Sequence, residues 1–388
     1  MVTSTIGVGT QAPQFPLDVR GGAYLSSIIT PVDQIAQGAY LAPSPANSSI
    51  ITAWIQKTVQ TNCASTMGVG PFWSSPATGS AFGGVSSGQG FIGCVLVPDG
   101  RVVLVSQNGT AIGLFNPATN AYTTVAITAG VDAYYGGALL PDGRVVFIPS
   151  QSAKIGLFNP ATNVYSETAA MSPAPAAYAF WGGVVIPDGR VVFIPSNATA
   201  IGLFTPSPTG GTYAVGPAAT KYEGGVLLPD GRVLLVPDGA ATIGLYDPVA
   251  NTVTPGPSVS GAAFNGGVLL PDGRVVLVPY TSTIGIYNPL TNGYTTVAAV
   301  GGYNGGVLLP DGRVLFIPRT AANFGIFTPS ATAGTFTTGP SATGYIGGVL
   351  IPDGRVVCSP FTATTVGLYL TNTPAPKDFC LHPCFNKL

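Results

Sequence analysis

The sequence predicts an all-β fold, a β-propeller of seven four-stranded antiparallel blades closed into a ring, on three observations. The tetrapeptide Pro-Asp-Gly-Arg occurs seven times, beginning at Pro98, Pro141, Pro187, Pro229, Pro271, Pro310 and Pro352, with spacings of 43, 46, 42, 42, 39 and 42 residues. Around each copy the same short apolar segments return in the same order. The last unit lacks a visible fourth strand. A period near 42 with several strand-like segments in each is the sequence form of a propeller.

The fifth unit shows the elements in order. Gly266-Gly-Val-Leu-Leu270 precedes the turn and Val275-Val-Leu-Val-Pro279 follows it; then come Thr283-Ile-Gly-Ile-Tyr-Asn-Pro289 and Gly293-Tyr-Thr-Thr-Val297. These runs are short, rich in β-branched and aromatic residues, and bounded by Pro, Gly, Asn and Asp, which marks strands. Pro-Asp-Gly supplies a fixed φ, a side chain that can hydrogen-bond the turn, and a residue free to take positive φ, so it links strands one and two as a hairpin. Asn288-Pro-Leu-Thr-Asn292 does the same between strands three and four. In the seventh unit strand three is Thr365-Val-Gly-Leu-Tyr369. Ser65-Thr-Met-Gly-Val-Gly-Pro71, ahead of the first unit, resembles the strand-four ends Tyr213–Pro217 and Phe336–Pro340. It is expected to pair with strand three of the last unit and close the ring, removing two open sheet edges.

The ends do not repeat. Residues 1–62 form an expected arm, with helices at Pro31–Gln37 and at Asn47–Gln60, where Ile51, Trp54, Ile55 and Val59 share one face. The propeller is expected over 63–370 and a tail over 371–388. No apolar run approaches the roughly 20 residues of a spanning helix, and Met1–Arg20 has no basic region followed by an apolar one, so neither a membrane span nor a secretory signal is expected.

Composition narrows the chemistry. Of 388 residues only 14 are Lys or Arg and 15 Asp or Glu, 7% in all, with 53 Gly, 36 Pro and a formal net charge of -1. The single histidine, His382, makes multi-histidine metal sites unexpected, and the scarcity of basic residues does the same for a nucleic-acid groove. No Gly-x-Ser-x-Gly elbow or phosphate-binding glycine loop is present. No catalytic constellation and no cofactor is therefore expected. So weakly charged a surface favours association.

Aligning the units on the turn proline exposes two columns. Seven residues before it stands an aromatic each time: Phe91, Tyr134, Phe180, Tyr222, Phe264, Tyr303 and Tyr345. This invariance predicts side chains wedged between blades. One position later the residue varies: Ile92, Tyr135, Trp181, Glu223, Asn265, Asn304 and Ile346. Strand alternation turns this column to the opposite side, towards the mouth of a central channel. Tyr135, Trp181, Glu223, Asn265 and Asn304 are the candidate ligand residues, since aromatic platforms beside Asn and Glu suit sugars. The turn pairs Asp99/Arg101, Asp142/Arg144, Asp188/Arg190, Asp230/Arg232, Asp272/Arg274, Asp311/Arg313 and Asp353/Arg355 read as a structural ladder, because one site does not need seven dyads. Cys94 and Cys358 read as small core residues. For Cys63, Cys380 and Cys384 a disulfide, free thiols and a partial metal site all remain open.

Leu-Leu-Pro-Asp-Gly-Arg-Val at 227–233, followed by Leu-Tyr-Asp-Pro at 245–248, resembles the kelch and galactose-oxidase type of propeller repeat over about residues 65–370. It departs where strand two ends in Val236-Pro237 or Ile317-Pro318 instead of Gly-Gly. The resemblance implies the fold. It does not bring a copper site, which needs histidines that His382 cannot supply.

The leading functional expectation is a non-enzymatic structural or attachment propeller of a virus or phage particle or another extracellular assembly, bound to other structural proteins through residues 1–62. A glycan-binding propeller is the alternative, and a polysaccharide hydrolase or lyase the third reading.

Overall fold

The computed structural model describes residues 6–8, 17–19, 72–74, 90–107, 110–259 and 263–371. The chain divides into two compact units, Met1–Leu41 and Ala42–Leu388. In the first, Ile6–Val8 and Leu17–Val19 form a parallel pair. The second holds seven four-stranded antiparallel sheets, the expected blades. Blade 5 runs Phe264–Leu269, Val275–Pro279, Thr283–Asn288 and Gly293–Ala298 from the axis outwards. Each inner strand lies beside the inner strands of its two neighbours, and that of blade 7 lies beside that of blade 1.

The blades are stacked face to face, which explains the absence of strict alternation in their sequences. Strand two is covered on both sides, so Val145–Pro149 and its six counterparts are buried throughout and read as apolar runs, interrupted only by Ser106 and Ser359. Each such Val, Leu or Ile contributes roughly 1.5–3 kcal/mol. The outermost strands, such as Gly293–Ala298, have one partner and are partly exposed. The aromatic column does stand at the blade interfaces. Phe180 of blade 3 shares a core with Leu140, Val146, Ile148 and Ile155 of blade 2. Its ring covers Gly202 of its own third strand, where a Cβ would come within 2.9 Å of it.

Both turn types have the predicted chemistry. The turn glycine takes positive φ in every unit, for example 85° at Gly143, and the Asp carboxylate accepts the N–H two residues on, as from Arg144 at 3.0 Å. The closing Asn of the second turn, such as Asn292 at φ 53°, is left-handed. Each Arg also pairs with the Asp of its own turn. Arg101, Arg144, Arg190, Arg274 and Arg355 donate further to a backbone carbonyl of the next blade, at Pro160, Ser207, Pro248, Ser330 and Pro117 respectively. The last of these joins blade 7 to blade 1. The ladder thus works within blades and between them.

The ring closes from the amino-terminal side, but with a different segment from the one expected. Phe72–Ser74 pairs antiparallel with Gly367–Leu370, whereas residues 65–71 lie outside the described residues. Register explains the shift. Trp73 stands opposite Tyr369, as Tyr294 stands opposite Tyr287 and Phe336 opposite Phe327. A cross-strand aromatic pair marks strand four better than the Gly-Pro that follows it. The two helices expected in residues 1–62, and Cys63, Cys380 and Cys384, also lie outside the described residues.

The closing interface carries its own complementary exchange. Cys94 replaces the second glycine found in the other inner strands, while Ser359 takes the place that Val or Ile holds in the other second strands. Ser359 Oγ donates to the Gly93 carbonyl at 3.2 Å and Cys94 Sγ to the Val357 carbonyl at 3.6 Å. Burial pushes the Cys94 thiol up to about 12, which makes it an inert core group.

On every inner strand the residue after the variable column is a glycine with positive φ, from 70° at Gly347 to 102° at Gly266. It sits in a β-bulge: Tyr135 and Gly136 together face a single residue between the Tyr134–Pro149 and Gly137–Phe147 pairs. A Cβ on Gly224 would lie 3.2 Å from the Gly266 Cα of the next blade. Gly224→Ala is expected to lower stability by about 1–3 kcal/mol, from positive φ and backbone crowding together, measured by chemical denaturation.

Candidate ligand site at the channel mouth

The bulge decides what the variable column does. It rotates that side chain away from the sheet and into the channel, at the end opposite the Pro-Asp-Gly-Arg turns. Tyr135 and Trp181 stack there, ring centroids 4.5 Å apart and planes 8° from parallel. Tyr135 Oη donates to Glu223 Oε1 at 3.4 Å and Asn304 Nδ2 donates to the same oxygen at 3.2 Å. Blades 2, 4 and 6 therefore converge on one carboxyl group. Ile92 and Ile346, both buried, form the apolar side.

Of the five sequence-predicted residues, Tyr135, Trp181, Glu223 and Asn304 are brought into this one cluster. Asn265 stands between Glu223 and Asn304 in ring order. Glu223, Asn265 and Asn304 are only 4–5% exposed, so they form the floor of the mouth and not its rim. Asn265 Oδ1 and Trp181 Nε1 are buried without a protein hydrogen-bond partner among the described residues, which marks polar capacity left open at this place.

A second variable column, nine residues after each turn proline, went unread in the sequence: Gln107, Ser150, Ser196, Asp238, Tyr280, Arg319 and Phe361. It follows strand two and forms part of the same rim. The alignment that exposed the first column shows it equally well; its signal is that unlike residues follow a Pro in six of the seven units, Ser106 standing there in the first. Arg319 lies 5.3 Å over the Phe361 ring and lines a cavity of about 100 Å³ with Tyr135, Trp181 and Ile92. Trp181 and Tyr178 also line a more open cleft of about 340 Å³, with Lys221, Asn197, Ser196 and Asp238. That is the lower end of the size range of ligand pockets.

Electrically the mouth stands apart from the rest of the ring. Five of the eight charged residues outside the turns in residues 90–371 lie at this mouth: Asp132, Lys221, Glu223, Asp238 and Arg319. The other three are engaged elsewhere, Lys154 with Glu167 and Asp247 with its own turn. Burial, reinforced by the Asp238 charge, pushes Glu223 up to about 8, against the opposing pull of Asn304, Arg319 and Tyr135. Burial also raises Asp238, and burial followed by the Glu223 charge raises Tyr135 well above a phenol's usual range. At neutral pH Glu223 is a protonated acid that can donate a hydrogen bond. Three rim residues, Asp132, Tyr178 and Lys221, hold φ of 54°, 55° and 67°. Such strain in a tyrosine and a lysine is uncommon, and it gathers at functional places.

No family model matches the chain, and no curated protein matches it. Solved structures do. A catalytically inactive variant of virginiamycin B lyase from Staphylococcus aureus, with quinupristin, aligns at TM-score 0.62 and 16% identity, over 74% of this chain and 97% of the other. Hydrazine synthase of Kuenenia stuttgartiensis aligns at 0.60 and 15%, over 76% and 99%. The extracellular domain of a one-component system from B. thetaiotaomicron aligns at 0.57 and 10%, over 74% and 41%. At these identities the likeness is one of fold. The class is a seven-bladed β-propeller, and among its neighbours are enzymes as well as an extracellular domain.

Glu223 makes stability depend on pH. Its folded value lies above the ordinary one, so the folded state holds an extra proton between about 4.5 and 8; its contribution is fully present below that window and is lost as pH rises through it. Glu223→Gln is expected to flatten this part of the profile, gaining on the parent by a few kcal/mol near pH 9, as read from denaturant midpoints at several pH values.

Proposed function

We propose that the chain is a non-enzymatic recognition propeller whose channel mouth takes a carbohydrate, in the attachment role expected of a component of a virus particle or other extracellular assembly. The observation that carries this reading is the stacked Tyr135–Trp181 pair beside Glu223, with Trp181 facing two adjoining cavities. Apolar ring faces match the C–H faces of sugars. Glu223, Asn304 and Asn265 supply the donors and acceptors that hydroxyl groups require. The five strands of polar residues meet one apolar side, the arrangement of an orienting site.

Two observations favour binding over catalysis. Residues 90–371 contain no histidine, whereas the lyase neighbour is a variant inactivated by replacing a histidine with alanine. The carboxylates of the mouth already have partners: Asp132 accepts from Gln151 and Tyr178, and Glu223 from Tyr135 and Asn304. A kelch-type kinship rests on the repeat motif, and attachment through residues 1–62 rests on their non-repeating composition.

A glycan array probed with the full chain is expected to give signal. Trp181→Ala should reduce it by roughly tenfold to a hundredfold with the melting temperature kept, given the apolar area it removes. An array without signal, or one unchanged in Trp181→Ala, overturns the reading.

A further inference from the structure

The cations of the ring fall into two groups. Every turn Arg is paired with its Asp, and Lys154 with Glu167. Lys221 and Arg319 are the exceptions: among the described residues neither has a carboxylate within ion-pair distance, and both stand at the channel mouth. The carboxylates nearby are occupied. Asp132 accepts from Gln151 Nε2 at 3.1 Å and from Tyr178 Oη at 3.2 Å, and Asp238 lies against Glu223. Lys221 is moreover held at φ 67°, with its aliphatic stem over Gly239 of the neighbouring loop. Among the described residues, these two unpaired cations each line one of the two cavities that Trp181 also lines.

We propose that the mouth selects a saccharide carrying an anionic group, received by Lys221 in the open cleft and by Arg319 in the channel cavity while the sugar ring lies against Trp181. The proposal rests on the recognition reading above and specifies its ligand. Charge-assisted bonds to a carboxylate or sulfate are stronger than those to a neutral hydroxyl, and Arg presents a fork that fits either anion. Buried, neutral Glu223 adds a donor below pH 8 and a repelling charge above it. The groups facing Glu223 are Tyr135, Asn304, Asp238 and Arg319. Of these, Asp238 and Tyr135 are raised by burial as well, and Glu223 is the group pushed up to about 8.

The test is an array carrying sialylated, uronate and sulfated glycans, each beside its neutral parent, at about 150 mM salt. Anionic members are expected to bind at least about tenfold better than their parents, and which kind does so tells carboxylate from sulfate. Lys221→Gln and Arg319→Gln should each remove most of that preference, Lys154→Gln should leave it, and affinity for the best glycan should fall as pH rises through about 8. If Lys221→Gln melts early, Lys221→Arg should keep both fold and preference. Equal binding to the neutral parents overturns this proposal and leaves carbohydrate recognition standing. No binding to any member removes both.

Discussion

Seven inner strands can meet round one axis only if their backbones approach more closely than side chains allow. The left-handed glycine of the inner-strand bulge meets that constraint. At Gly182 and Gly224 a single added carbon would come within 3.1–3.2 Å of the next blade's backbone, and positive φ at all seven positions leaves the choice to glycine. Strand order, blade count and the stacking of apolar faces follow from a ring that can close at its centre. The bulge also turns one side chain per blade into the channel, so the device that permits the fold creates the wall of the site.

The placement of charge follows from the same geometry. The seven Asp–Arg turns lie at the far end, where they tie each blade internally and, in five blades, to the next. At the mouth, low solvent access makes a lone carboxylate costly. Glu223 answers by retaining its proton while accepting from Tyr135 and Asn304. A neutral acid, a stacked aromatic pair and two unpaired cations within one ring of backbone form a site suited to holding a polar ligand by several weak contacts.

Much of the fold was legible because the repeat is dictated by local chemistry. Pro-Asp-Gly-Arg must turn, Val-Val-Leu-Val between such turns must be covered, and seven similar units with an incomplete last one must close. The closing segment expected at 65–71 lies outside the described residues, and the strand that pairs with Gly367–Leu370 is Phe72–Ser74, with Trp73 at the register position opposite Tyr369. The inner-strand column Tyr135, Trp181, Glu223, Asn265 and Asn304 was readable as the place where variation departs from repetition. The second column, with Asp238 and Arg319, carries a similar signal one residue past the end of strand two.

Sequence alone determined the number of blades, the order of strands in each, the two turn chemistries and the scarcity of groups able to do acid–base work. These follow from contacts between residues a few positions apart. Tertiary structure decided that Glu223 and Asn304, 81 residues apart, share a hydrogen bond, that Tyr135 lies on Trp181, and that Lys221 and Arg319 stand unpaired at one mouth. Such facts depend on the curvature that brings blades 2, 4 and 6 to a common axis, and no spacing along the chain expresses that curvature.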